Sequence, residues 1–142
     1  MPLFLLFLAL QQLQHQSLSY IKDLLFKTLA ANLYTRHWAD LLWLSCIAGV
    51  SEELLFRGVI QPWIAASWGI MAGIVVSNII FGLLHAITPL YTVLVTLVGI
   101  YLSWSMTVAD ENNLLIPIII HSLYDFLALF ALMRLYRANL TH

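Results

Sequence analysis

The sequence predicts an all-α, polytopic membrane helix bundle of about four transmembrane helices with an N-terminal interfacial helix, on three observations. Of the 142 residues, 62% are hydrophobic and 9% charged, with a mean hydropathy of +0.91, where ordinary soluble domains carry about 25% charged residues. Four apolar stretches approach the about 20 residues needed to cross the hydrocarbon core of a bilayer. Acids, an arginine and histidines recur inside those stretches, where an ionised side chain costs roughly 2.5 to 3.5 kcal/mol to insert and is explained by function more readily than by drift.

The chain divides into an N-terminal segment, residues 1–36, and a core, residues 37–142. Residues 1–10 are apolar but stop short of a span at Gln11, and they lack the basic start of a secretory signal. They read as the remnant of a longer span or as an interfacial segment. Over residues 18–33, Ile21, Leu24, Leu25 and Leu29 recur at helical spacing opposite Lys22, Asp23 and Lys27, which predicts a helix lying on the membrane surface. The four predicted spans are residues 38–60, 69–87, 90–108 and 114–136.

Six basic and seven acidic residues leave a net charge of -1, so the chain lacks the electrostatic footprint of a nucleic-acid binder. Cys46 is the single cysteine and forms no internal disulfide; it reads as a small core residue. Lys22, Lys27 and Arg36 precede the first span, Arg134 and Arg137 close the fourth, and the turn before the fourth holds Asp110 and Glu111 without a base. That asymmetry places both ends on the cytoplasmic side. Trp38, Trp63, Trp68 and Trp104 lie near predicted span ends and read as interfacial anchors.

On a helix, residues four apart share a face and adjacent residues diverge by about 100 degrees. Glu53 and Arg57 in the first span are therefore neighbours able to form a structural pair, while Glu52 points elsewhere and is free to act on a water or a metal. The second span sets Gly69, Gly73, Ser77, Phe81 and His85 at steps of four. Small residues at that spacing let membrane helices approach closely, and His85 is thereby delivered to an interface. In the fourth span His121 and Asp125 share a face, where a carboxylate can hold an imidazole's tautomer. Glu52, His85, His121 and Asp125 come from three spans and converge only in a bundle interior.

Glu-Glu-x-x-x-Arg at Glu52, Glu53 and Arg57, Phe-x-x-x-His at Phe81 and His85, and His-x-x-x-Asp at His121 and Asp125 resemble the ordered motifs of the CPBP, or Abi, family of intramembrane proteases. That family includes type II CAAX prenyl endopeptidases and bacterial proteins linked to bacteriocin self-immunity. The resemblance covers about residues 45–130, and residues 112–127 resemble the last motif of cyanobacterial and plastid members. It implies an integral, multi-pass membrane protein of a bacterial plasma or internal membrane that hydrolyses peptide bonds of a membrane-associated or prenylated-type substrate, in contact with membrane lipid. Catalytic roles then fall to Glu52, His85, His121 and Asp125, with Glu53, Arg57 and Phe81 in support. Glu52 with His85 polarises a water; His121 and Asp125 stabilise the oxyanion or complete the site. Many relatives carry asparagine where this chain has Asp125, so Asp125 is protonated, orients His121, or helps bind a cation.

The family's metalloprotease label makes zinc or another divalent metal on Glu52, His85 and His121 one reading, although no HExxH-type motif is present. Straight spans would place His85 too far in depth from Glu52, which predicts a helix break near Thr88 and Pro89. Relatives carry more spans ahead of the Glu-Glu motif, so this is either a shortened member or a truncated start. A noncatalytic immunity or scaffold protein binding a peptide or protein in the same cavity is the alternative, and a proton-relay transporter a third.

Overall fold

The structure, a computed structural model, describes Leu3, Leu5 and residues 16–108 and 112–140; most of the apolar start and the acidic turn at Asp110 and Glu111 lie outside them. The described residues are overwhelmingly helical, and no strand occurs among them. The chain forms two compact units, Met1–Ile47 with Ser122–His142, and Ala48–His121.

In the first unit, α1 (Gln16–Leu25) continues through a π turn, Phe26–Ala30, into a last turn, Ala31–Leu33. This matches the helix expected over residues 18–33, with one change of face. Leu29, expected on the apolar side, is 39% exposed, whereas Ala30 is fully buried. A π turn holds an extra residue and rotates the face that follows it. Ala30 packs with Leu41, Leu132 and Met133, and Leu25, Phe26, Leu33, Phe126 and Tyr136 close over them.

The second unit starts within α2 (Trp38–Leu55), which passes through a π turn, Phe56–Ile60, directly into α3 (Gln61–Trp68). The backbone therefore stays helical eight residues beyond the expected end at residue 60. Pro62 has no N–H to donate to the preceding turn, and the π turn absorbs the mismatch without ending the helix. The stop comes at Gly69, whose φ of 85° and ψ of 162° suit a residue without a Cβ. Gly69 thus lies outside α4 (Ile70–Leu84) and is not the first member of its small-residue face, as the spacing had suggested.

His85 caps the end of α4 with φ −101° and ψ 14°. Thr88 is extended and its Oγ1 accepts from Tyr91 N at 3.1 Å, and Pro89 opens α5 (Pro89–Ser105), since proline suits the first turn, where its missing N–H has no partner to lose. The break expected near Thr88 and Pro89 is present, but α4 ends three residues before the predicted 87. The last helix, α6 (Leu115–Leu140), enters this unit by its first two turns.

Helices α4 and α5 run antiparallel and touch through glycine. A Cβ on Gly82 would meet Thr92 O at 2.8 Å and collide with Thr96 Oγ1. By contrast, one on Gly58 would make an ordinary 3.6 Å contact with Leu114. Gly82→Ala is therefore expected to cost about 1–3 kcal/mol through overpacking, and Gly58→Ala to be neutral or stabilising by up to about 1 kcal/mol through helix propensity. Thermal unfolding in detergent checks both; equal midpoints for the two variants would contradict the close approach.

Packing in the second unit inverts that of a soluble domain. Along α4, Met71, Val75, Ile79 and Leu83 are exposed at steps of four, while Gly73, Ser77, Asn78, Phe81 and Gly82 are buried. Trp63, Trp68 and Trp104 are each more than 60% exposed, and Glu53, Arg57, Gln61, Asn78 and Ser103 are buried. Contiguous exposed apolar surface marks contact with membrane or partner. Among the described residues, α6 alone is long and apolar enough by itself to cross a membrane. At 15 residues, α4 reaches about 22 Å, short of a core of about 30 Å.

Candidate active site

The second unit is organised around Arg57, which lies within the π turn and is buried. Its Nη1 donates to Glu53 Oε1 at 3.0 Å, and its Nη2 donates to Asn78 Oδ1 at 2.9 Å and Gly99 O at 2.6 Å. Nε donates to Ser103 Oγ at 3.4 Å. Asn78 Nδ2 donates to Ser103 Oγ at 2.8 Å, and that hydroxyl donates to Gln61 Oε1 at 2.8 Å. Glu53 and Arg57 pair as one helical turn allows, with both side chains fully buried. A buried guanidinium needs several acceptors to offset the loss of water, and α2, α4 and α5 each supply at least one.

From this base the pairing extends to His121. Its Nδ1 lies 2.8 Å from Glu53 Oε1; the carboxylate paired with Arg57 accepts, so His121 Nδ1 carries the proton and Nε2 faces the other way. There Glu52 Oε2 stands 3.8 Å from His121 Nε2 and 3.8 Å from His85 Nε2. His85 Nδ1 donates to Phe81 O at 2.8 Å, because a carbonyl only accepts. Backbone and carboxylate thus tie both Nδ1 atoms and turn both Nε2 atoms towards one carboxylate oxygen, which fixes the tautomers. That oxygen, Glu52 Oε2, is buried without a hydrogen-bond partner, although the side chain as a whole is 30% exposed.

Phe81 holds the groups apart. Its buried ring lies 4.6 Å from the His85 ring, 6.1 Å from that of His121 and 4.8 Å from Phe56, and the Arg57 guanidinium stands 5.1 Å from its centroid. An aromatic ring tolerates both a cation over its face and imidazoles at its edge.

Glu52, Glu53, Arg57, Phe81, His85 and His121 are therefore brought together, and the 3.8 Å between Glu52 Oε2 and His85 Nε2 is the approach that straight spans would not have allowed. Asp125 lies one turn beyond His121 along α6, half-buried, in the stretch that belongs to the first unit. Ser77 only returns its hydroxyl to Ile74 O at 3.3 Å and takes no part. Asn78, Gln61, Ser103 and the Gly99 carbonyl were not anticipated. For Asn78 a signal existed: it lies three residues before Phe81 and seven before His85, on their helical face.

Glycine again sets the geometry at Gly99, where an added Cβ would run into Asn78 Oδ1 and approach Arg57 Nη2 to 3.2 Å. Gly99→Ala is expected to displace both side chains and lower stability by about 1–3 kcal/mol. An unchanged unfolding midpoint would show that Arg57 does not depend on that carbonyl. Among the described residues, no three His, Cys, Asp or Glu side chains form a ready metal cluster.

Apolar outside and polar within, with imidazoles and carboxylates gathered among its helices, the second unit has the make-up of a membrane-embedded hydrolase. The model of the family described as type II CAAX prenyl endopeptidase Rce1-like matches residues 34–127, and the chain belongs to that family. Membership places it in a membrane-embedded protease family whose substrates are peptides or proteins. No curated protein and no solved structure matches the chain.

Proposed function

We propose that the protein is an intramembrane endopeptidase that hydrolyses a peptide bond of a membrane-associated or prenylated-type substrate, with a water activated by Glu52 and His85. About four helical segments cross the membrane in this reading, and the buried polar residues line the reaction chamber. The observation that carries it is the convergence of His85 Nε2 and His121 Nε2 on the partnerless Glu52 Oε2.

In the scheme, a water hydrogen-bonds to Glu52 and His85. Glu52 removes a proton as the water oxygen attacks the scissile carbonyl carbon. His121, on taking a second proton from solvent at Nε2, donates to the oxyanion that develops, and Glu53, which accepts from Nδ1, balances the imidazolium charge. Glu52 returns the proton to the departing amine nitrogen as the C–N bond breaks, leaving a carboxylic acid and an amine. In the alternative metal-dependent form of the scheme, Glu52, His85 and His121 would have to draw closer than they stand, with His121 Nε2 unprotonated, to hold zinc or a similar ion, which would supply Lewis-acid polarisation of the water.

The test is cleavage of fluorogenic peptides, with and without a prenylated C-terminal cysteine, by the protein in liposomes. His85→Ala is expected to slow turnover by about 10²–10⁴-fold. Loss of activity on chelation, restored by zinc, would assign the metal; full activity in His85→Ala would overturn the scheme.

A further inference from the structure

The first unit holds a cavity of about 360 Å³ where α2 begins and α6 nears its end. Leu41, Phe130 and Met133 line it together with Arg36, His37, Trp38, Arg134 and Arg137. Leu41 and Met133 are buried and form an apolar floor, while the three arginines, His37 and Trp38 are exposed and form the rim. Among the described residues, none of the three guanidinium groups has a carboxylate partner. Arg137 is fixed by donating Nε to Tyr34 O at 2.7 Å and Nη2 to Arg36 O at 3.1 Å, and Arg134 stands 5.9 Å from the Phe130 ring centroid. Asp40, the acid closest in sequence to the rim, accepts from His37 N at 3.2 Å. Lys22, Lys27, Arg36, Arg134 and Arg137, five of the six basic residues of the chain, lie in this unit, against Asp23, Asp40 and Asp125.

We infer that this cavity binds the phosphate of an anionic phospholipid, with Arg36 and Arg134 as the phosphate ligands and the start of an acyl chain on Leu41, Phe130 and Met133. Guanidinium groups without a carboxylate partner among the described residues, set over an apolar floor, match a ligand that is anionic at one end and hydrocarbon at the other. Arginine pairs with phosphate oxygens in bidentate geometry, and basic pockets of membrane proteins recognise anionic headgroups. Trp38 on the rim suits the headgroup level, where indole rings partition. The inference rests on the first unit alone and is independent of the proteolytic scheme.

Native mass spectrometry of the detergent-purified chain, titrated with phosphatidylglycerol or with phosphatidylcholine of the same acyl chains, tests it. Phosphatidylglycerol is expected to bind more tightly, and Arg36→Gln and Arg134→Gln each to weaken it by about fivefold, the worth of one basic residue at an anionic surface. Arg137 is left intact because it ties two backbone carbonyls. Equal affinity for the two lipids in the wild-type chain would overturn the proposal without recourse to any variant, as would a preference that survives in the double variant. Inorganic phosphate serves as the second probe: failure to displace the lipid supports the headgroup as the source, whereas displacement with equal affinity would assign the site to free phosphate and sink the lipid.

Discussion

Glu52→Gln is expected to reduce peptide cleavage by about 10²–10⁴-fold, the usual contribution of a general base, while leaving the protein as stable as the wild type or more so. The two halves of this expectation come from one observation. Glu52 Oε2 is buried with no hydrogen-bond partner and faces two imidazole nitrogens at 3.8 Å. A partnerless carboxylate oxygen adds little to the fold, so replacing the acid by an amide of the same size removes a poorly solvated charge. Activity should fall because the amide cannot take a proton from water. Functional sites commonly carry such local instability. The measurement is turnover of the fluorogenic peptide alongside thermal unfolding in the same detergent. Activity retained in Glu52→Gln would remove Glu52 as the base. Activity and stability lost together would recast it as a structural acid. A wild-type chain that cleaves nothing yet captures a partner as well as Glu52→Gln does would favour the noncatalytic immunity or scaffold reading.

The largest effect on stability is expected at Arg57. Arg57→Met removes the donor to Glu53, Asn78, Gly99 and Ser103 at once and leaves Glu53 charged in a fully buried position. Breaking one side of a buried pair costs about 3–5 kcal/mol, largely because the remaining charge is uncompensated. Arg57→Met combined with Glu53→Gln should recover part of that loss, since the glutamine is neutral and its Oε1 still accepts from His121 Nδ1. Recovery should be incomplete, because Asn78 Oδ1 and Gly99 O stay without their donor. Unfolding free energies of the two single variants and the double variant form the cycle. If the double variant is no more stable than Arg57→Met, the cost lies in the lost hydrogen bonds and not in the stranded charge.

These two positions also show how much could be read without a structure. The Glu53–Arg57 pair was legible because it joins residues four apart on one helix, and the divergence of Glu52 followed from the same geometry. The helix break after α4 was legible because Pro89 suits a helix start and because His85 otherwise could not reach Glu52. The small-residue face of α4 was legible only in part. Steps of four from Gly69 select Ser77, but Gly69 is the break itself, and the face that meets α5 carries Asn78 and Gly82.

By itself the sequence determined that this chain is helical and apolar, that acids and histidines stand at set positions within that apolar material, and that their order matches one protease family. Such features are local: hydropathy and the 3.6-residue period act within a single segment. The tertiary structure alone decided which atoms face one another. His121 and Glu53 are 68 residues apart, and Arg57 and the Gly99 carbonyl 42 apart, so no period relates them. Their meeting depends on close helix contacts through glycine, where Gly99 lets Asn78 and Arg57 approach its backbone. A desolvated guanidinium is held only where packing assembles enough acceptors around it, and that choice among neighbours is made by the folded chain as a whole.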